Sequence, residues 1–415
     1  MMISNHKEAY VWIWLPETTD PIIAGKLEVE GDFIYFNYGK SYLERDDKIS
    51  IYEPELPLKR GRIDLPSGLK IPSSIRDSAP DAWGRRVIIN RKMGVKGNDI
   101  DTDVFNEITY LLESGSDRIG ALDFQRSPTE YIPRATENAS LEELLESAER
   151  VEKGVPLTPE LDQAIFHGSS IGGARPKALI EDKNSKYIAK FSSSSDTYSV
   201  VKAEYIAMKL ANLCGLNVAP VRLIEVLGKE ILLVKRFDRH AKNGKWTRKS
   251  MISALTLFQL DDTMARYSSY ETLAEIIRHR FKNPTKTLHE LFGRLVFNIL
   301  CGNNDDHARN HAGFWDGQEL ELTPAYDICP QARTGQETAQ AMKIVGDNGL
   351  SQLKTCLEAA PNFQLSSQEA RDIFDKIETV ITDNWDNICE EAKLTKVDKK
   401  LFWKRQFLNP FSIIR

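Results

Sequence analysis

Apolar and polar positions along the chain fall into three successive textures. Between residues 8 and 60 they alternate in short runs broken by Gly, Pro and Asp, as in "YVWIWL", "AGKLEV" and "DFIYFNY". That two-residue period predicts a small antiparallel sheet. "DSAPDAWGRRVIINRK" then predicts a loop running into a helix. Phe105, Ile108, Leu111 and Leu112 share one face of a second helix over 103–113, and "RIGALDF" at 118–124 returns to strand.

The middle of the chain mixes both periods. Residues 125–140, "QRSPTEYIPRATENAS", are polar with two prolines and mark a boundary. Ser140-x-x-Glu143 opens a helix as a capping box, with Leu141, Leu144, Leu145 and Ala148 on one face. Thr158 caps a second short helix that has Pro159 in its first turn. A glycine-rich loop, "GSSIGGARPK", leads to "ALIED", a turn at "KNS" and the strand "KYIAKF". Ala203, Ile206, Ala207, Leu210, Ala211 and Cys214 then follow helical spacing for three turns. Two strands, "PVRLIEV" and "EILLVKRF", meet at a turn around Gly228-Lys229. Beyond residue 250 helices dominate, among them one over 287–301 and another opened by Ser366-x-x-Glu369. The pattern divides the chain into a β-rich part (1–125), a mixed part (126–238) and a helical part (239–415), an α+β organisation with no internal repeat.

Composition narrows the class. At 415 residues the chain is long enough for two or three sub-domains. A net charge of −5 argues against coating nucleic acid unaided. The longest apolar runs fall far short of a membrane span, and the amino-terminal apolar patch lacks a small-residue cleavage site, so it is read as a strand. Five cysteines form no CxxC pair, which suggests reduced core thiols in the cytoplasm rather than a zinc site.

Three places carry candidate chemistry. The glycine-rich loop is not a Walker A motif: Gly168 and Gly173 have the required gap, but Ala174-Arg175 follows instead of Lys-Ser, and GxGxxG is absent. It still offers Gly172, Gly173, the hydroxyls of Ser169 and Ser170, and the cations Arg175 and Lys177, a set able to cradle phosphate or simply to form a surface turn. Lys190 lies in the apolar strand "YIAKF", on the face opposite Ile188 or out toward solvent. Such a lysine is either solvated or a point charge for phosphates, with Glu204 at the start of the next helix as a partner. The third place is "GNNDDHARN" at 302–310. Asp305 and Asn310 are five positions apart, and Asp327 follows a short strand in "LELTPAYDICP". In phosphoryl transfer an aspartate orients the acceptor hydroxyl, an asparagine five residues on holds magnesium, and a later aspartate holds it again. Each residue alone also fits a cap, a turn or, for His307, a structural histidine. Their order along the chain is what favours chemistry.

In that order the sequence resembles the HipA family of serine/threonine kinases, toxins of bacterial toxin–antitoxin pairs. The resemblance rests on "SIGGARPK" (170–177), "IAKF" (188–191), "VKRFDR" (234–239), "NNDDHARN" (303–310) and "TPAYDI" (323–328), with "DSAPDAWGRR" and "RIGALDF" upstream. It implies a eukaryotic-protein-kinase-like two-lobe core: 126–238 is the mixed β N-lobe, 239–415 the α-helical C-lobe, and 1–125 an extra β-rich sub-domain. It further implies ATP and Mg2+ as cofactors. Asp305 becomes the catalytic aspartate, Asn310 and Asp327 the magnesium ligands, and Lys190 the ATP-phosphate lysine. Ser170, Gly172, Gly173, Ala174 and Lys177 belong to the nucleotide loop, and Val234, Lys235, Arg236 and Phe237 to the hinge that meets adenine through backbone groups. His307 and Arg309 flank the catalytic aspartate on the nucleotide side, Arg309 standing where many relatives have lysine. Ser170, or Ser169 beside it, matches the loop serine whose autophosphorylation ejects the loop and silences the kinase.

Implied partners are a small helix-turn-helix antitoxin of the HipB kind, operator DNA mainly through that antitoxin, and a substrate in translation such as an aminoacyl-tRNA synthetase. Two alternatives share the same residues: a small-molecule (alcohol) kinase, and a nucleotide-binding regulator without turnover that acts through an antitoxin–DNA complex.

Overall fold

The computed structural model describes residues 5–93, 101–134, 139–171, 173–193, 196–333 and 335–415, and Gly172 of the predicted loop lies outside them. The chain forms two compact units. One gathers residues 1–195, 224–252 and 314–318; the other gathers 196–223, 253–313 and 319–415.

In the first unit the alternating stretch forms an antiparallel sheet of order β3-β2-β1-β4, with β1 (Glu8–Ile13), β2 (Ile22–Glu30), β3 (Phe33–Tyr38) and β4 (Leu122–Gln125). The register pairs Tyr10 with Lys26 and with Gln125, and slips at a bulge between Val11 and Trp12. Ala9, Val11 and Ile13 turn inward with Leu27, Phe36 and Phe124 to build its core. Short helices α1 (Lys40–Leu43) and α2 (Ser73–Arg76) follow, then α3 (Ala82–Met93) and α4 (Glu107–Glu113). The helix expected over 103–113 starts later because Asn106 caps it, its side chain accepting from the Thr109 N–H. Phe105 is buried outside the helix.

A second sheet of order β5-β6-β8-β7 completes this unit: β5 (Lys177–Glu181), β6 (Lys186–Phe191), β7 (Val221–Val226, entering the unit at residue 224) and β8 (Lys229–Lys235). α5 (Leu141–Lys153) starts with the expected capping box, and α6 (Pro159–Phe166) follows Thr158. Trp83 and Val87 of α3 pack with Leu144, Leu145 and Ala148 of α5 against Ala178, Ala189, Phe191 and Leu233 of the sheet. Ala189 and Phe191 take the core face of β6. Lys190 therefore shares its face with Ile188, two residues away, which overturns the opposite-face expectation, while its half-buried place off the core face fits the other expectation, out toward solvent; a strand repeats every second residue. A hairpin, β9 (Arg239–Lys242) and β10 (Lys245–Arg248), and the start of β11 (Ser250–Ser253) end the unit.

The second unit is helical. α7 (Val200–Leu213) buries Ala203, Ile206, Ala207, Leu210 and Ala211 completely, as its period requires. α8 (Ala254–Leu257), α9 (Tyr270–Arg280) and α10 (Pro284–Cys301) follow, then α11 (Leu353–Ala359), α12 (Ser367–Glu391) and α13 (Lys396–Phe402). α10 is the central element: Leu288, Leu291, Phe292, Leu295, Val296 and Ile299 are all fully buried, and Phe292 stacks on Phe374 of α12. At its end lie β12 (Ala312–Trp315), whose first two residues belong here, and β13 (Leu320–Leu322). Among the described residues no helix is long and apolar enough to cross a membrane.

Candidate active site

In the first unit the glycine-rich loop is held by the start of α3. Gly173 donates its N–H to Asp81 Oδ2 at 2.7 Å and accepts from the Trp83 N–H at 3.1 Å. The Trp83 indole reaches past it to the carbonyl of Lys177 at 3.0 Å, and the Arg86 guanidinium donates to the carbonyl of Ala174. Gly84 lets the two segments touch: a Cβ there would sit 2.2 Å from the Ser169 carbonyl oxygen. Gly173 has φ +98, a backbone conformation that strains any L side chain, and Lys177 Nζ occupies the space a Cβ would take. The lysine ammonium thus lies against the bare backbone of the loop.

The two loop serines are both buried. Ser169 Oγ donates to the Phe166 carbonyl at 2.6 Å and accepts from the Gly115 N–H at 3.2 Å. Its hydroxyl is therefore a structural tie between this loop and the segment before β4.

Lys177 and Lys190 are cross-strand partners on β5 and β6, so both side chains rise from one face of the sheet. Like charges directly opposite destabilise a sheet, and an anion over them reverses the sign. At the other edge Val234 pairs with Ile188, Lys235 pairs with Tyr187, and the Arg236 N–H donates to Lys186 O at 2.8 Å. That donor is engaged within the sheet. The Arg236 side chain turns inward and bridges Asp238 (2.8 and 2.9 Å) and Asp117 (3.0 Å). Phe237 meets Phe314 edge-on at 5.9 Å.

In the second unit α10 ends at Gly302, and the loop expected to carry catalysis begins at once. Asp305 is exposed, Asn310 is buried, and the Asn310 amide donates to the Asp305 carbonyl at 3.3 Å. Asp327 has φ +58, a left-handed conformation that aspartate tolerates better than most residues. The flanking Ala325 N–H is tied to Asn217 O at 2.8 Å, which fixes where the turn starts. Although Asp305 is exposed as a residue, partial desolvation of its carboxyl pushes it above the usual carboxylate range; His307 opposes the shift and the negative charge of Asp327 adds to it. The two acids are close enough to repel. The oxygen donors of Asn310 and Asp327 are of the hard kind that suits magnesium, which completes its shell with water or phosphate. Among the described residues no group of three His, Cys, Asp or Glu side chains could hold a metal. Arg309 pairs with Asp262 at 2.7 and 3.0 Å, and its carbonyl accepts from the Tyr326 phenol at 2.7 Å.

The comparisons with known proteins agree in kind. Residues 14–125 match the model of the HipA N-terminal domain and residues 169–385 that of the HipA-like C-terminal domain, the latter alone covering more than half of the 415 residues. The chain belongs to the HipA family. The serine/threonine-protein kinase toxin HipA of Shewanella oneidensis is 24% identical over 183 residues, 38% of this chain and 42% of that one. A putative kinase of Haemophilus influenzae is 25% identical over 180 residues, 39% of this chain and 52% of its own. The chain therefore spans about half the length of these curated relatives. The fold agrees further: HipA in the solved complex of Shewanella oneidensis HipA, HipB and operator DNA superposes with a TM-score of 0.68 at 18% identity, covering 98% of this chain and 100% of that one. This HipA-family chain thus has the α+β, kinase-like core with an added amino-terminal β-rich sub-domain.

Within this HipA-family fold the expected residues fall into two sets. Ser170, Gly173, Ala174, Lys177, Lys190 and Val234–Phe237 belong to the first unit; Asp305, His307, Arg309, Asn310 and Asp327 belong to the second. Glu204, weighed as a partner for Lys190, is buried on α7 in the second unit. Asp306, which the spacing to Asn310 sets aside as a structural neighbour of Asp305, is buried with Tyr270 and His311 on its carboxylate. Sequence reasoning missed the other residues that hold the loops: Asp81, Trp83 and Gly84 clasp the glycine loop, and Tyr270 and His311 anchor the 302–310 loop. "DAWG" was visible as a motif, but nothing local says that it faces residue 173.

Proposed function

We propose that this chain is an ATP- and magnesium-dependent serine/threonine protein kinase and the toxin of a toxin–antitoxin pair. The observation that carries the proposal is the set Asp305, Asn310 and Asp327 at the spacing phosphoryl transfer uses, with the Asn310 amide on the Asp305 carbonyl and the charge of Asp327 raising the proton affinity of Asp305. Asp305 accepts the hydrogen bond of the acceptor hydroxyl and aims its oxygen at the terminal phosphate. Asn310 and Asp327 hold the magnesium, whose charge would offset the phosphate oxygens. Lys177, Lys190 and the loop from Ser170 to Ala174, with Gly172, hold the nucleotide phosphates, and the backbone at 234–237 meets adenine; His307 and Arg309 act beside the catalytic aspartate.

Ser170 is the autophosphorylated residue in this proposal. The structural hydrogen bonds of Ser169 support that choice, and burial means that Ser170 has to leave its seat to be modified. A phosphate of charge about −1.5 to −2 there competes with the nucleotide for the same lysines and silences the enzyme. A small helix-turn-helix antitoxin, operator DNA bound mainly through it, and a translation component as substrate, such as an aminoacyl-tRNA synthetase, complete the proposal. The HipA–HipB–operator complex that shares this fold supports the antitoxin and operator DNA as partners.

Transfer of labelled phosphate from ATP to the chain itself and to a cell lysate tests it. Wild type should label itself and a lysate protein, and Asp305→Gln should lose both by about 10²-fold or more. Label in metabolites alone would indicate an alcohol kinase, and ATP binding without transfer would indicate a regulator.

A further inference from the structure

Asp305 and Asp306 are consecutive, yet the fold treats them oppositely. Asp305 is exposed, whereas Asp306 is 2% exposed. Two donors converge on the buried carboxylate: the Tyr270 phenol donates to Asp306 Oδ2, and His311 Nε2 lies 3.1 Å from the same oxygen. His311 Nδ1 is buried and has no hydrogen-bond partner among the described residues. An N–H left unpaired there would cost more than an unpaired lone pair, so the ring proton belongs on Nε2, directed at Asp306. The two rings also meet edge-to-face, with centroids 5.5 Å apart at 76°.

Both donors sit on fixed elements. Tyr270 is fully buried at the first position of α9, and its backbone N–H donates to Lys343 O at 2.8 Å. His311 stands at the entry to β12, its carbonyl accepting from the Ala254 N–H at 2.8 Å. The residue on the other side of Asp305 is held as well. Asn304 donates its amide to Thr338 Oγ1 at 2.9 Å, and its carbonyl accepts from the Ala341 N–H at 3.0 Å. Asp305 is therefore the one side chain turned outward between two pinned neighbours. Its backbone has little freedom to move unless Asn304 or Asp306 lets go.

We propose that Tyr270, Asp306 and His311 form a positioning unit for Asp305. By fixing the peptide between residues 305 and 306, the buried hydrogen bonds set the direction of the catalytic carboxylate before substrate arrives. The inference rests on the catalytic assignment of Asp305 and adds three residues that touch neither substrate nor nucleotide.

The test uses the full chain with Tyr270→Phe, which keeps the ring and removes only the donor, and Asp306→Asn, which keeps the shape and removes the charge. Transfer from labelled ATP should fall about 10- to 100-fold in kcat for each variant, because sub-ångström misplacement of a catalytic group is costly, while KM for ATP stays within about 2-fold. In an Asp305→Asn background Tyr270→Phe should leave the residual rate unchanged, as expected of a residue acting through Asp305. A second, full-sized drop in that background, or an unchanged kcat in the single variants, would overturn the proposal. Hydrogen exchange gives an arm independent of activity: the variants should exchange faster at 303–307 and not at 169–177. If wild type transfers no phosphate, the kinase assignment fails by itself; unchanged exchange at 303–307 would then overturn the positioning role too.

Discussion

The Trp83 indole N–H donates to the carbonyl of Lys177 at 3.0 Å, joining residues 94 apart in the sequence. Trp83 is fully buried against β5 and β6, so this bond is shielded from water and sits beneath the loop that carries Ser170. An amino-terminal helix thereby belongs to the machinery of the glycine-rich loop, since its own N–H and that of Gly173 complete the clasp with Asp81.

Breaking that clasp should loosen the loop before it unfolds the protein. Gly84→Ala would ordinarily stabilise an exposed helix by about 1 kcal/mol. Here the added methyl meets the Ser169 carbonyl at 2.2 Å, so the expected sign is reversed. Trp83→Phe strands the Lys177 carbonyl, at a cost of about 1–3 kcal/mol. Hydrogen exchange at 169–177 should accelerate in both variants, and the urea midpoint should fall. A stabilised Gly84→Ala with unaltered exchange would show that the contact can relax freely.

Acid should disable the site earlier than an ordinary aspartate would require. In the proposed mechanism Asp305 is ionised to accept the acceptor's hydrogen bond, and desolvation together with Asp327 holds its carboxyl above the usual range while His307 pulls it down. Activity is therefore present above the raised value and lost as pH falls through it. Carboxyl titration by carbon-13 NMR, with no nucleotide or metal added, should show Asp327→Asn lowering the Asp305 transition and His307→Gln raising it. If Asp327→Asn left the transition in place, the two acids would not be the coupled pair described above.

Stability of the first unit should depend on a buried carboxylate. Asp123 is wholly enclosed and accepts from Arg118 at 2.9 Å and Arg134 at 2.8 Å, and burial pushes fully enclosed Arg118 down to about 10. Asp123→Asn leaves a buried guanidinium short of its counter-charge, and about 3–5 kcal/mol of destabilisation is expected in urea unfolding. Asp238 sets the acid limit. Burial opposes its ionisation, but Arg236 and Arg239 overcome that and hold it at about 2 against an ordinary 3.8. A depressed acid contributes stability above the unfolded value and loses it as pH falls toward the folded one. The unfolding midpoint should thus drop between about pH 4 and pH 2, and less steeply in Asp238→Asn. Equal slopes would remove Asp238 from the account.

The sequence by itself determined most of the elements that form and which residues are the candidates for the chemistry. Strand alternation, capping boxes at Ser140 and Ser366 and the helical period of α7 are local effects, decided by neighbours within a turn or a pleat. The spacing of Asp305, Asn310 and Asp327 is likewise a linear property, and so was readable. Tertiary structure decided what holds those residues. Trp83 finds Lys177, Arg236 finds Asp117, and Asp306 finds Tyr270 only once the chain has folded back. Adjacent aspartates look alike as letters, yet one is exposed and the other nearly sealed. The five-residue spacing to Asn310 already set Asp305 apart from Asp306, but how each is solvated and which groups hold it are set by segments distant in sequence.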